Sequence, residues 1–179
     1  MRAIALFLLP MLVAQCTLGE DPAYSLLPAD IAKTLRTDSD VKLYLLDPVH
    51  SVNYSIHSQP EKLRLGIVAG YPVERHLGTV PKEQADTLRQ LLLDPASHLQ
   101  YYTLGIAMPR IAVTFGAHAD SATILIAFNE RAWRFESRNR EEPYSSHFNA
   151  EVATQLKTLI NDHLLPGETL LERSQHNEK

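Results

Sequence analysis

The sequence predicts an α+β domain, a mostly antiparallel sheet of about four to five strands with two to three helices packed against it. Three observations predict it. Short runs of strand-forming residues occupy 41–46 and several stretches between 111 and 135. Two longer segments, 81–94 and 151–164, place apolar residues at helical spacing instead. The elements read helix, strands, helix, three strands, helix, which lacks the regular strand–helix alternation of a parallel sheet.

Asp30–Arg36 fits a short helix that buries Ile31 and Leu35. Val41–Leu46 alternates, with Val41, Leu43 and Leu45 on one face, and Asp47-Pro48 closes it. Asn53–His57 is a weaker strand candidate, and Leu65–Val68 is another, followed by a turn at Gly70-Tyr71-Pro72. Pro81–Asp94 is the clearest helix. Ala85, Leu88, Leu91 and Leu92 recur on one side, Pro81 suits the first turn, and Thr79 is the better N-cap beside Val80. Asp94-Pro95 ends it, because a residue before proline is pushed out of the helical region.

Three strands come next. Ile111, Val113 and Phe115 alternate with Ala112 and Thr114. Ala122–Phe128 is apolar on both faces and therefore reads as a central strand. Ala132–Phe135 sets Trp133 and Phe135 on one side. Short turns at Gly116–Ser121 and Asn129–Arg131 link the three as a meander. After a polar loop, Glu151–Leu164 forms the last amphipathic helix, with Asn149 as N-cap and Pro166-Gly167 as its stop. The helices are expected on one face of the sheet.

The N-terminus has a different character. Met1 and Arg2 precede Ala3–Ala14, a run of apolar residues with no amphipathic period. Crossing a bilayer takes about 20 such residues, whereas a secretory signal uses a shorter core behind a positive charge. Residues 1–15 are therefore expected to be a signal peptide. The run ends Leu12-Val13-Ala14-Gln15-Cys16, which resembles the processing signal of bacterial lipoproteins. That resemblance implies a diacylglycerol on Cys16, which becomes the mature first residue. Gln15 departs from the small residue usual there, and plain cleavage after Ala14 or Gly19 competes. Cys16 is the one cysteine of the chain, so no internal disulfide can form, and lipid attachment would consume a thiol that otherwise needs explaining. By the sorting rule of such proteins, Thr17 in place of an acidic residue points to the outer membrane.

Removing 15 of 179 residues leaves 164, one domain by size. The basic count falls from 17 to 16 with Arg2, against 21 acidic residues, a net charge near −5. No basic block is present, so nucleic acid is not an expected partner. Residues 17–28 read as a tether, 29–166 as the single domain, and 167–179 as a flexible tail.

Four segments resemble the motifs of a large uncharacterised bacterial family. They are Leu46-Asp47-Pro48, Gly70-Tyr71-Pro72-Val73, Pro109-Arg110-Ile111-Ala112-Val113-Thr114 and Ala127-Phe128-Asn129-Glu130. The last stands where that family carries Cys-Phe-x-Cys. Ala127 and Glu130 replace the cysteines, so a metal or redox role attached to them does not carry over. The resemblance implies a fold over about residues 35–160 and no activity.

No catalytic set stands out. Ser51, Ser97, Ser145 and Ser146 lie near His50, His98 and His147 in sequence, but none sits in a Gly-x-Ser-x-Gly turn. The eight histidines are scattered, without helical metal-ligand spacing. His118 with Asp120 fits a solvated turn, and Asp120, Glu130 and Glu136 fit a charged surface. No cofactor and no metal are expected. Arg110 enters a buried strand and needs a carboxylate or carbonyl partner, with Asp47 and Glu130 the candidates. Tyr71 fits a sheet edge, and Trp133, Phe135 and Tyr144 fit either core or an exposed patch. Arg110, Tyr71 and Trp133 are thus the candidate structural or partner contacts.

The expected function is a non-enzymatic envelope protein that binds a protein or envelope component, as an inhibitor or immunity protein does. It would be lipid-anchored facing the periplasm, or soluble there. The alternatives are a small envelope hydrolase or metal-dependent enzyme with a site assembled from distant segments, and a purely structural lipoprotein.

Overall fold

The computed structural model describes residues 27–37, 39–48, 63–99, 108–116 and 121–165. The signal and Cys16, the strand candidate Asn53–His57, His118 with Asp120, and the tail lie outside them. The chain runs α1 (Ala29–Arg36), β1 (Val41–Leu46), β2 (Ile67–Val68), β3 (Tyr71–Thr79) and α2 (Lys82–Leu93). A 3-10 turn (Pro95–Ser97) leads on to β4 (Ile111–Phe115), β5 (Ala122–Ala127), β6 (Ala132–Ser137), β7 (Tyr144–His147) and α3 (Ala150–Asn161). The seven strands form one antiparallel sheet in the order β2-β3-β1-β4-β5-β6-β7. The α+β architecture is as expected, with two strands more than the upper end of the expected number.

The additional strands are β3 and β7. Tyr71 and Pro72 open a nine-residue strand, and the turn lies one step earlier, at Ala69 and Gly70. Both turn residues have positive φ, 48° and 83°, the mirror-image turn whose twist suits a two-residue hairpin. β3 pairs with β1 through two register irregularities, one between Leu43 and Tyr44 and one between Leu45 and Leu46. Thr79 is the last residue of β3, opposite Lys42, and the Val80 N–H donates to the Val41 carbonyl. Neither therefore caps α2. Pro81 holds that position and supplies no side-chain cap. At α3 the expected N-cap is present, the Asn149 side chain accepting from the Val152 N–H at 2.9 Å. That helix ends at Asn161, before Pro166 is reached.

Period-two alternation divides the sheet into two faces. Val41, Leu43, Leu45, Ile111, Val113, Phe115, Ile124, Ile126, Trp133 and Phe135 meet the apolar stripes of all three helices in the main core. The helices thus share one face, as their stripes require. On the other face Leu46, Val73, Ala112 and Leu125 form a second, smaller cluster, with Tyr44, Val68, Ala69 and Tyr71 packed against it. β5 is buried on both faces because both clusters claim it. The β2–β3 hairpin contributes Val68, Ala69, Tyr71 and Val73 to the second cluster of the curled sheet.

Candidate functional site

The four motif segments meet at one end of the sheet. Leu46 pairs with Val73, and the Leu46 N–H donates to the Arg110 carbonyl at 2.9 Å. The Asp47 N–H donates to the Pro72 carbonyl at 3.0 Å, and the Arg110 N–H to the Ile126 carbonyl at 3.0 Å. Segments far apart in sequence thus share one backbone hydrogen-bond network where β1 and β5 end and β3 and β4 begin.

Arg110 joins three strands there. Its guanidinium donates to the Leu46 carbonyl and forms an ion pair with Glu74 at 2.8 Å. The acid therefore differs from both expected candidates. Glu74 takes the role because the β1–β3 irregularity between Leu45 and Leu46 skips it in the pairing. Asp47 is buried at the end of β1. Glu130 lies in the β5–β6 turn with one carboxylate oxygen buried and without a hydrogen-bond partner. The Arg110 side chain is 21% exposed and that of Glu74 33%, so the pair is an internal clamp at the margin of solvent.

Tyr71 leans across the second face. Burial pushes its phenol pKa up, the Arg134 charge pulls it down, and Glu136 pushes it up again. Tyr71 is on β3 and both charged residues are on β6, four strand spacings away. In a flat sheet that is about 19 Å, beyond useful electrostatic reach. The curl of the sheet brings them close enough for both charges to act on the phenol. Arg134 and Glu136 pair with each other at 3.0 Å, and burial pushes the Glu136 carboxyl pKa up while Arg134 opposes the shift.

Trp133 lies in the core, 1% exposed, between His98 and Phe148 at ring separations of 4.8 and 5.0 Å. Its indole N–H donates to Ser146 Oγ at 2.6 Å. Ser146 Oγ is 2.9 Å from His98 Nδ1, and His98 Nε2 is 2.8 Å from the Leu92 carbonyl. A carbonyl only accepts, so Nε2 carries the proton, Nδ1 accepts, and Ser146 donates to it. Burial pushes the His98 pKa below the ordinary imidazole value, which agrees with a neutral ring. A serine hydroxyl donating to a histidine is the geometry of an activated nucleophile. Ser146 is only 6% exposed and His98 7%, so the pair is enclosed, and a substrate carbonyl has no approach to Oγ. Sequence reasoning missed this pairing of residues 48 positions apart.

Among the described residues, no group of three or more His, Cys, Asp or Glu side chains is placed to hold a metal. A hollow of about 380 Å³ between α2 and α3 is lined by Thr87, Gln90, Asp94, Asn149, Glu151 and Gln155 among others. These amides, hydroxyls and carboxylates offer hydrogen bonds. They include neither a cation nor a histidine base.

No family model, curated protein or solved structure matches the chain. Among the described residues no helix is long and apolar enough to cross a membrane.

Proposed function

We propose that the protein is an exported, non-enzymatic binding protein of the cell envelope, anchored through lipid on Cys16, in the manner of an inhibitor. One structural observation carries the binding part. Ile67 and Met108 are large apolar side chains 47% and 52% exposed, and both belong to the sheet end that Arg110 clamps. Leu65 beside β2 is 47% exposed as well. Exposed apolar side chains on a rigid frame are a common feature of protein-binding surfaces. The Arg110–Glu74 ion pair and the backbone network around it supply that rigidity. Export and anchoring rest on Met1–Cys16, and a non-catalytic role on the enclosure of Ser146 and His98. The motif resemblance draws no support from the comparisons and adds only that its segments converge at this surface.

The test is crosslinked capture from envelope extract with wild type, Ile67→Glu and Met108→Glu. Both positions are exposed, so stability should change by no more than about 0.5 kcal/mol. A specific crosslinked partner should be recovered by wild type and lost with either variant. Equal recovery by all three would remove this surface from the account.

A further inference from the structure

We propose that His98 is an acid-sensitive latch: gaining a second proton, the ring releases the Leu99–His147 pairing and frees the β7 edge of the sheet. The latch joins three elements. His98 follows the 3-10 turn after α2, and its Nε2–H is fixed on the Leu92 carbonyl of α2. Its Nδ1 is fixed on Ser146 of β7, and Ser146 also holds Trp133 of β6. The next residue continues the connection in backbone. The Leu99 N–H donates to the His147 carbonyl at 2.7 Å, and the His147 N–H to the Leu99 carbonyl at 3.1 Å. These two bonds cover the outer side of β7, the last strand in the sheet order, next to β6. Without them one donor and one acceptor of an edge strand are open to pairing.

The site is built for the neutral ring. A second proton on Nδ1 reverses its bond to Ser146, whose oxygen would then accept from both the ring and Trp133, so the serine hydrogen must turn away from its present acceptor. The ring would also carry a full charge at a position only 7% exposed. The new charge also lies among aromatic rings, with Trp133 at 4.8 Å and Phe135 at 5.9 Å. β6 thus presents uncharged faces. From β7 come the Ser146 hydroxyl and, two residues away on the same face, the Tyr144 phenol. From the end of α2 come the Leu92 carbonyl and the Asp94 charge, which favour the proton but are outweighed by burial. Moving the ring into water removes the conflict, and it takes Leu99 along because the two residues are adjacent.

The linkage sets the size of the effect. An imidazole freed into water has its ordinary pKa of about 6.5, so going from pH of about 7 to about 5 favours the open form by at most about 25-fold. Amide hydrogen exchange of the full domain reads this directly. The Leu99 and His147 amides should exchange through a local opening, with little denaturant dependence, and their protection should fall by a factor approaching that ceiling. Val113 and Ile124 in the central strands should exchange more slowly, with the steep denaturant slope of global unfolding. Ring-nitrogen NMR of the wild type should show His98 in the Nε2–H form at neutral pH, with its second proton arriving only below the ordinary imidazole range, because protonating the folded ring must also open the latch. His98→Gln, which keeps a donor for Leu92 but does not titrate, should abolish the pH response. If that variant does not fold, the pH dependence of the wild-type Leu99 and His147 protection, read against Val113 and Ile124, carries the test. The proposal is overturned if Leu99 and His147 exchange only with Val113 and Ile124, if their protection does not fall between pH of about 7 and about 5, or if His98→Gln keeps the same pH response.

Discussion

Replacing Ser146 by alanine removes one oxygen and breaks both side-chain ends of a buried network. The Trp133 N–H loses its acceptor and His98 Nδ1 loses its donor, in a site where Trp133 is 1% and His98 7% exposed. A buried polar group left without a partner costs about 1–3 kcal/mol, and here there are two. We expect Ser146→Ala to destabilise the domain by about 3 kcal/mol, a large share of a typical stability of about 5–15 kcal/mol. Ser145→Ala is the control. Ser145, next to Ser146 on β7, points to the other face and is exposed, so the change should stay within about 0.5 kcal/mol. Urea unfolding followed by far-UV circular dichroism gives both values, and the emission of the chain's one tryptophan, Trp133, gives an independent reading for the serine variants. Trp133→Phe keeps most of the ring volume and deletes the donor. Combined with Ser146→Ala it should cost about 1 kcal/mol less than the sum of the two single changes, because they share one hydrogen bond. A Ser146→Ala midpoint equal to that of Ser145→Ala would refute the network as a source of stability.

Four further outcomes follow from the same structure. Because burial lowers the His98 pKa, the unfolded chain takes the proton first; the stability linked to this group is complete above about 6.5 and declines as pH falls toward the lower folded value. The urea midpoint should drop over that interval in wild type and drop less in His98→Gln. Arg110→Ala should cost about 1–2 kcal/mol, since it leaves the buried Leu46 carbonyl short of a donor, and Glu74→Gln less than about 1 kcal/mol, since that pair reaches solvent; equal costs would mean the clamp is purely ionic. Leu125→Ala, in the second cluster, should cost about 2–4 kcal/mol by chemical denaturation, and a value near zero would show that the curl does not enclose that face. Ala69→Asn should raise stability by about 0.5–1 kcal/mol, because a φ of 48° is strained for alanine and tolerated by asparagine.

The parts of the fold legible in the sequence are those where one physical signal dominates. β1, β4 and β6 carry an alternating apolar face, β5 is apolar on both faces, and α2 and α3 carry stripes three and four residues apart. β3 was not legible for identifiable reasons. Pro72, Glu74, Arg75, His76 and Gly78 are poor strand formers as a set, and two irregularities break the period that would reveal a face. β7 is the four-residue segment Tyr-Ser-Ser-His, polar because it lies near the rim of the sheet. The errors at the candidate site follow from those two strands. Arg110 plainly needed a partner, but its acid lies on β3. The serine that meets His98 lies on β7, so neither pairing could be derived while its strand read as loop. Trp133, open in the sequence between core and surface, is core because its face of β6 meets the helices.

The compartment rests on Met1–Cys16, and the mass of the mature N-terminus tests it most directly. Protein isolated from the envelope of its native host and analysed intact should begin at Cys16 and carry diacylglycerol and acyl mass, all lost in Cys16→Ser. A chain that still begins at Met1, with a free thiol on Cys16, would contradict both the anchor and the envelope partner proposed here.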